Sequence, residues 1–433
     1  MFVIYEDLLV LWLAYLLWKL SPPLDWNFPF WLKFILFFTK EIFFNFTLLL
    51  LRRKVLQWSF SKSLFFERIF TLLAFLFFSL DLLFFDFKKF FAPYYFSDFL
   101  IIFWFLHYYF ILKLVFYRLH IEYFRILLGL YLPFFIFILA DEIFDLFKIQ
   151  FPGQIILLLI VIFALSPYLV IKIWPVKRVP EGYLRDLISD FFKRLNLKIR
   201  DYLILPRLGA KFYTAGILGF IPPFRYLFFS EGLLELVSPE EVLGILAHEA
   251  GHLKKKHGFW LFLLLLTFPL SFLNFVYLFF LLFSLFFETP EEVVSFLKGP
   301  YGIYFELSFG LFLFGFSIFF FRVILAYILR SLEREADLYA LYLLGDPLPL
   351  ISALYKIGEI TGQLYRKSWH HYGLYERIQY LKYAYQHSQV IKKHSLKLRR
   401  ILLFWILLNL ILISLFTYLG ADILEQVLKI FTA

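Results

Sequence analysis

The stretch S-P-E-E-V-L-G-I-L-A-H-E-A-G-H-L-K-K-K-H, residues Ser238–His257, has the pattern of a helix that begins at a defined residue. Ser238 can cap this helix, and Pro239 suits its first turn because the missing N–H would be unpaired there. Glu241, three residues after the serine, completes a capping box. The apolar side of the predicted helix is formed by Val242, Leu243, Leu246 and Leu253.

Two histidines of this helix have the spacing of metal ligands. His248 and His252 are four residues apart, so both imidazoles project from one face. A single Zn²⁺ at about 2.0–2.1 Å from each nitrogen requires this arrangement. Glu249 points beside the metal, where it can take a proton from an activated water. The alternative is that these are polar side chains at a membrane–water interface.

The composition indicates a polytopic membrane protein. Of the 433 residues 62% are hydrophobic, and 64 are Phe, whereas soluble domains are roughly 45–50% apolar. The net charge is +10, but the basic residues flank apolar runs, which favours contact with lipid over nucleic acid. The sequence contains no cysteine, which excludes disulfides, thiolate zinc ligands and a cysteine nucleophile.

About nine apolar runs approach the roughly 20 residues that a bilayer core requires. The first is read as a transmembrane helix and not as a removed signal peptide, because it lacks a basic start and a cleavage site. Basic loops such as Arg52–Lys54 alternate with acidic ones, which predicts a cytoplasmic N-terminus and active site. The runs are Met1–Leu20, Phe30–Leu51, Leu64–Phe85, Leu100–Tyr117, Ile126–Phe147, Ile155–Trp174, Gly258–Phe286, Tyr304–Leu329 and Ile401–Leu419.

These runs divide the chain into five parts. We expect transmembrane helices at 1–174, the first catalytic segment at 175–257 and two further spans at 258–329. The second catalytic segment is then 330–400, and a last span with a tail occupies 401–433. A charged loop, marked by Glu288, Glu291 and Glu292, is expected between the two middle spans. The fold class is therefore mainly α, with a cytoplasmic zinc protease domain.

The first catalytic segment combines a helix with short strands. An amphipathic helix is expected within Val176–Leu197, followed by a small hairpin or sheet. The strands are expected at Asp201–Arg207, Lys211–Ala215 and Arg225–Ser230, separated by Gly209, Gly216, Gly219 and two prolines. An edge strand here can bind an extended peptide, or it can serve only to cover the zinc helix.

The third zinc ligand is expected from the helix Arg330–Gly345, because a catalytic zinc site has three protein ligands and an open position. Glu333 is the expected ligand, and Asp337, one turn later, is expected to orient a ligand histidine. Glu335 is expected to be a solvated charge. The alternative is that all of these are ordinary surface charges.

Further histidines are distributed along the chain. In the polar segment Ser368–Leu381, His371 and Arg377 could donate hydrogen bonds to an oxyanion or to a substrate backbone. His370 is expected to be structural or exposed. The histidines that are expected not to bind metal are His107, His120 and His257.

Four segments resemble the integral-membrane gluzincin metalloproteases that include HtpX and the type 1 CAAX prenyl proteases. The resemblance covers about Ile204–Leu381, and it implies that His248, His252 and Glu333 bind one Zn²⁺ and that Glu249 is the general base and acid. It further implies that Asp337 lies behind a ligand and that His371 and Arg377 line the substrate cleft. The matching segments are F-F-S-E-G-L-L (Phe228–Leu234), Ser238–Leu253, E-R-E-A-D (Glu333–Asp337) and H-H-Y-G-L-Y-E-R-I (His370–Ile378).

The sequence therefore predicts a membrane-embedded zinc endopeptidase that cuts membrane-associated or misfolded proteins at the cytoplasmic face. Its expected partners are a peptide or protein substrate and the lipid bilayer, with no nucleic acid; the oligomeric state is left open. One alternative is a protease of narrow specificity, either a signal transducer or a CAAX-type enzyme that processes C-termini. Another is a catalytically inactive zinc scaffold or transporter.

Overall fold

The computed structural model describes residues 4–21, 27–55, 58, 60–116, 121–149, 153–206, 213–287, 289–366 and 372–432. The chain divides into two compact units, an N-terminal unit of Val3–Lys177 and a C-terminal unit of Arg178–Ile204 with Tyr213–Ala433. Both units are mainly helical, as the sequence predicts.

The N-terminal unit is a bundle whose core is rich in aromatic side chains. Buried residues of the long helices, such as Phe44, Phe78, Phe105 and Tyr131, pack together in one cluster. The helices are α1 (Ile4–Leu20), α2 (Phe30–Val55), α3 (Phe60–Leu83), α4 (Phe87–Phe91), α5 (Ser97–Phe116), α6 (Ile121–Leu146) and α7 (Gln154–Ile173).

Buried charges of this bundle are paired with one another. Lys40, which interrupts the second apolar run, forms an ion pair with the fully buried Asp81 of α3. Lys113 of α5 lies 2.6 Å from Glu67 of α3. Pairing of this kind is what allows ionisable residues to occupy the interior of a membrane bundle.

The C-terminal unit contains a small sheet and the catalytic helices. Four strands, β1 (Lys177–Arg178), β2 (Asp201–Leu205), β3 (Ala215–Leu218) and β4 (Tyr226–Ser230), pair in the order β1-β2-β4-β3. The helices are α8 (Tyr183–Arg194), α9 (Glu231–Leu236), α10 (Pro239–Lys254), α11 (His257–Ser284), α12 (Pro290–Lys298), α13 (Gly302–Phe319), α14 (Ala326–Leu344), α15 (Leu348–Thr361), α16 (Leu374–Gln386) and α17 (Gln389–Thr432).

The strand prediction is wrong in one place. The middle strand is Ala215–Leu218, with Tyr213 and Thr214 outside it, and it contains Gly216, which was expected to separate strands. A Cβ at Gly216 would lie 2.9 Å from the ring of Phe228 on β4. A glycine can lie inside this strand because the ring of Phe228 occupies the space that a side chain would take. Positions 207–212 lie outside the described residues.

Two segments that were expected to be a loop and a tail are helical. The expected loop around Glu292 is α12, which is capped by Thr289 and begins at Pro290, the same order of cap and proline as in the zinc helix. The Thr289 hydroxyl accepts a hydrogen bond from the backbone N–H of Glu292 at 3.3 Å. The expected tail at 420–433 continues α17 as far as Thr432.

The helix that carries the third expected ligand is continuous with a membrane-spanning helix. Between α13 and α14 the segment Phe320–Leu325 is π-helical, and no other break separates them. The helix closes at Gly345, whose φ of 70° is the left-handed conformation expected after a helix end.

Within the described residues, six helices are long and apolar enough to cross a membrane. The helices α1, α3 and α5, which correspond to the expected spans Met1–Leu20, Leu64–Phe85 and Leu100–Tyr117, do not belong to this set, so a total of nine spans is not confirmed. The six are Phe30–Val55, Arg125–Leu146, Ile156–Ile173, His257–Phe283, Gly302–Leu344 and Gln389–Phe416.

Candidate active site

The helix α10 is capped and buried as its sequence predicts. The Ser238 hydroxyl accepts from the backbone N–H of Glu241, and the Glu241 carboxylate accepts from the backbone N–H of Ser238 at 2.7 Å. Glu241 also accepts a hydrogen bond at 2.8 Å from Lys356 on α15. The start of α10 is thereby fixed to a neighbouring helix.

Two glycines let other helices approach α10 closely. A Cβ at Gly244 would lie 2.6 Å from the backbone nitrogen of Leu350 on α15. A Cβ at Gly251 would lie 3.0 Å from the Cα of Ala336 on α14. The separation between α10 and α14 therefore depends on a glycine that lies one residue before His252.

This close approach brings three metal-ligating side chains together. His248, His252 and Glu333 each offer a ligand atom, and these atoms all lie within 4.8 Å of one another. The two Nε2 atoms are 3.1 Å apart, and each lies 3.7 Å from an oxygen of the Glu333 carboxylate. Tetrahedral coordination at about 2.0–2.1 Å would hold two nitrogens about 3.3 Å apart, so this donor set fits zinc.

The carboxylate of Asp337 lies behind the first histidine. Its Oδ1 is 2.8 Å from Nδ1 of His248, which assigns the proton to Nδ1 and leaves the Nε2 lone pair facing the metal group. Arg377 donates two hydrogen bonds to Asp337, from Nε at 2.8 Å and from Nη2 at 2.7 Å. This bidentate pair fixes the orientation of the carboxylate.

Burial and neighbouring charges shift the pKa values of the side chains in the site. Burial lowers the pKa of His252 well below its ordinary value, which favours a neutral ligand ring. Burial also lowers the pKa of His248, but the bond to Asp337 outweighs it, and the net shift is upward. For Arg377, burial opposes the charged form, and Asp337 nevertheless raises the pKa.

Glu249 is buried beside the metal group. Its side chain is 7% exposed, and burial raises the pKa of its carboxyl to about 7. The backbone N–H of Ile217, on the edge strand β3, donates a hydrogen bond to this carboxylate. A carboxyl with a pKa near neutrality can exchange a proton in both directions during a reaction.

Two residues to which the sequence analysis gave no role at the metal also belong to the site. His257 contacts His252 and also Glu335, which is buried and not solvated as expected. The available signal for His257 was its position five residues after His252, separated from it by Leu253 and three lysines. His371 lies outside the described residues.

Comparison with known proteins identifies the chain. The sequence profile of Peptidase family M48 matches residues 180–401, slightly more than half of the chain and all of the metal group. The chain belongs to Peptidase family M48. This M48 protein is therefore a zinc metalloprotease, with His248, His252 and Glu333 as its candidate ligands.

Solved structures similar to this M48 protein include the crystal structure of S. mikatae Ste24p. The identity is 17% and the TM-score 0.45, over 83% of this chain and 100% of that chain. No curated protein matches the sequence. Together with the family, the six apolar helices make this chain a multi-pass membrane metalloprotease.

Proposed function

We propose that this protein is an endopeptidase that binds one Zn²⁺ and hydrolyses peptide bonds in membrane-associated or misfolded proteins at the cytoplasmic face. The observation that carries the proposal is the group of His248, His252 and Glu333 with the buried Glu249 beside it. Carboxylate and imidazole ligands around an open position are typical of hydrolytic zinc sites.

When bound, zinc supplies a Lewis acid that polarises the scissile carbonyl and lowers the pKa of water. Glu249 then takes the proton of the attacking water and passes it to the leaving amine nitrogen. The raised pKa of Glu249 suits both steps, because neither proton transfer is strongly uphill near neutral pH.

The edge strand β3 is our proposed binding position for the substrate backbone. It pairs with β4 on one side in an antiparallel register that joins Ile217 to Leu227. Because β3 is the last strand in the order, its other edge has no neighbouring strand among the described residues and faces Glu249. An extended peptide that pairs with this edge would pass the metal group.

Arg377 and His371 are our proposed donors to the substrate cleft. Two nitrogens of Arg377 bind Asp337, and the third, Nη1, lies 3.8 Å from Oε2 of Glu333. That nitrogen can approach a developing oxyanion, and removing one such donor typically costs about 3–4 kcal/mol of transition-state stabilisation.

The cytoplasmic location is supported by charge. The last turn of α2 carries Arg52, Arg53 and Lys54, and the start of α17 carries Lys392 and Lys393. Basic residues next to spans favour the cytoplasmic side. Because α10 leads into α11 and α14 continues from α13, both catalytic helices lie at the ends of adjacent spans.

The proposal is tested with wild type, Glu249→Gln and a control, Glu240→Gln, which alters an exposed carboxylate of the same helix. Bound zinc and cleavage of an unfolded model protein are measured in detergent, with and without a chelator. We expect one zinc in all three proteins, with cleavage lowered about 10²–10⁴-fold only in Glu249→Gln. Full cleavage by Glu249→Gln, or the absence of zinc from the wild type, contradicts the proposal.

A further inference from the structure

A line of hydrogen bonds connects the second candidate ligand to a buried carboxylate on α14. Nδ1 of His252 is 2.9 Å from Nδ1 of His257. Nε2 of His257 is 3.0 Å from Oε2 of Glu335. His257 is 3% exposed and Glu335 is 4% exposed, so neither contact competes with bulk water.

The helix break after α10 makes this contact available. In a continuous α-helix, a residue five positions after His252 would lie about 140° around the axis and about 7.5 Å along it. Lys256 instead adopts a left-handed backbone conformation, with a φ of 58°, and α11 begins anew at His257. This turn directs the imidazole of His257 back toward His252.

The Glu335 carboxylate, at the end of this line of hydrogen bonds, determines which nitrogen donates and which accepts along it. A carboxylate only accepts, so Nε2 of the neutral His257 ring carries the proton that Glu335 accepts. Nδ1 of His257 is then an acceptor, and it takes the Nδ1 proton of His252. This leaves the lone pair of His252 on Nε2, the atom that lies 3.1 Å from Nε2 of His248.

We propose that His257 and Glu335 are positioning residues that fix the tautomer and ring orientation of His252 for zinc binding. This inference rests on the proposed function, since it concerns the same metal group. Each ligand histidine then has its own carboxylate on α14, with Asp337 contacting His248 directly and Glu335 reaching His252 through an imidazole. Supports of this kind typically contribute 10–100-fold to metal affinity.

The burial of Glu335 is consistent with such a role. A buried carboxylate is unfavourable unless it is hydrogen-bonded and paired with a charge. Its Oε1 lies 3.7 Å from Nζ of Lys255, the residue that follows α10, and Nζ of Lys255 is also 3.3 Å from the hydroxyl of Ser395 on α17. The charge of Glu335 is therefore contacted by Lys255 as well as by His257.

The test measures the zinc dissociation constant of purified full-length protein in detergent, by competition with a chromophoric chelator. The variants are His257→Phe, which keeps a ring but removes both nitrogens, and His257→Gln, which retains one acceptor and one donor. Glu335→Gln removes the charge. The control is Glu241→Gln, which alters an equally buried carboxylate of α10 that does not touch a ligand.

We expect His257→Phe and Glu335→Gln to weaken zinc binding about 10–100-fold. We expect His257→Gln to recover part of this loss, and Glu241→Gln to leave zinc affinity unchanged even where it lowers thermal stability. The double variant His257→Phe/Glu335→Gln should lose no more affinity than the single change at His257, because both act through one line of contacts.

A second readout uses Co²⁺ in place of zinc. We expect the visible absorption bands of the Co²⁺ protein to shift in His257→Phe and not in Glu241→Gln. Zinc affinity and spectrum equal to wild type in folded His257→Phe and Glu335→Gln would overturn the inference. Because no substrate is used, that result differs from a failure of the proposed protease activity, which would appear as lost cleavage with normal zinc binding.

Discussion

Substitution of Gly251 by alanine tests whether the approach of α14 to α10 determines zinc affinity. The added Cβ would lie 3.0 Å from Cα and 3.1 Å from the oxygen of Ala336, and 3.1 Å from Cβ of Tyr339. Ordinary contacts between carbon atoms are about 3.5–4.0 Å. To relieve the close contacts, α10 and α14 would have to move apart by about 0.5 Å. Glu333 lies on α14 three residues before Ala336 and would move with it.

The expected loss of zinc affinity in Gly251→Ala follows from two opposing effects on stability. Overpacking typically costs about 1–3 kcal/mol, whereas alanine is favoured over glycine in a helix interior by about 0.8–1.0 kcal/mol. The metal-free protein can relax by moving α14 outward. The zinc-bound protein cannot relax in this way, because ligand distances are held within about 0.2 Å. A strain of about 1–2 kcal/mol in the bound state corresponds to roughly 5–30-fold weaker zinc binding.

The assay compares the zinc dissociation constants of wild type, Gly251→Ala and Gly310→Ala. Gly310 is the matched control, because a Cβ at this helical position meets no atom within 4 Å. We expect weaker zinc binding in Gly251→Ala alone, with a smaller change in the unfolding midpoint of the metal-free protein. A zinc affinity within twofold of wild type in Gly251→Ala would refute the reasoning.

Three further predictions concern other contacts of the site. Gly244→Ala would place Cβ 2.6 Å from the backbone of Leu350, and we expect denaturant unfolding to show a loss of about 1–3 kcal/mol with unchanged zinc affinity. Arg377→Lys replaces two hydrogen bonds to Asp337 with a single ammonium, so chelator competition should show roughly tenfold weaker zinc binding; equal binding would contradict the positioning of that carboxylate. Ile217→Pro removes the N–H at the edge of β3, and kcat/KM for a peptide should fall roughly tenfold relative to Ile217→Val, with normal zinc content.

The capped zinc helix and its ligand spacing could be predicted because they depend on local rules. Ser238, Pro239 and Glu241 specify a helix start through contacts within four residues, and the structure contains those contacts. The spacing of His248 and His252 places them on one face whatever surrounds the helix. The family comparison then confirmed the metalloprotease prediction that rested on this stretch.

The surroundings of the site could not be predicted in the same way, because they depend on packing between distant segments. Glu335 resembles a surface charge in sequence, and only the turn at Lys256 and the return of His257 show that it is buried. Gly216 reads as a break between strands until the ring of Phe228 is seen against it. In each case the deciding partner lies outside the local sequence.

The second apolar run shows the same dependence on a distant partner. Lys40 reads as an interruption of an apolar run, yet its helix α2 is one of the six apolar helices, and in the folded unit Lys40 is paired with Asp81 of α3. Hydropathy evaluates each helix alone, and so it does not register charges that are neutralised between helices.

The π-helical segment Phe320–Leu325 sets the rotational phase of the catalytic helix relative to the membrane. Helix Gly302–Leu344 is 43 residues long, a rod of about 65 Å in which one part is lipid-embedded and the other carries Glu333. A wider turn accommodates one additional residue, and removing one residue from an α-helical rod turns everything beyond it by about 100°. We therefore expect an insertion or a deletion between this segment and Glu333 to disturb the site more than a substitution there, because it would rotate Glu333 away from the two histidines.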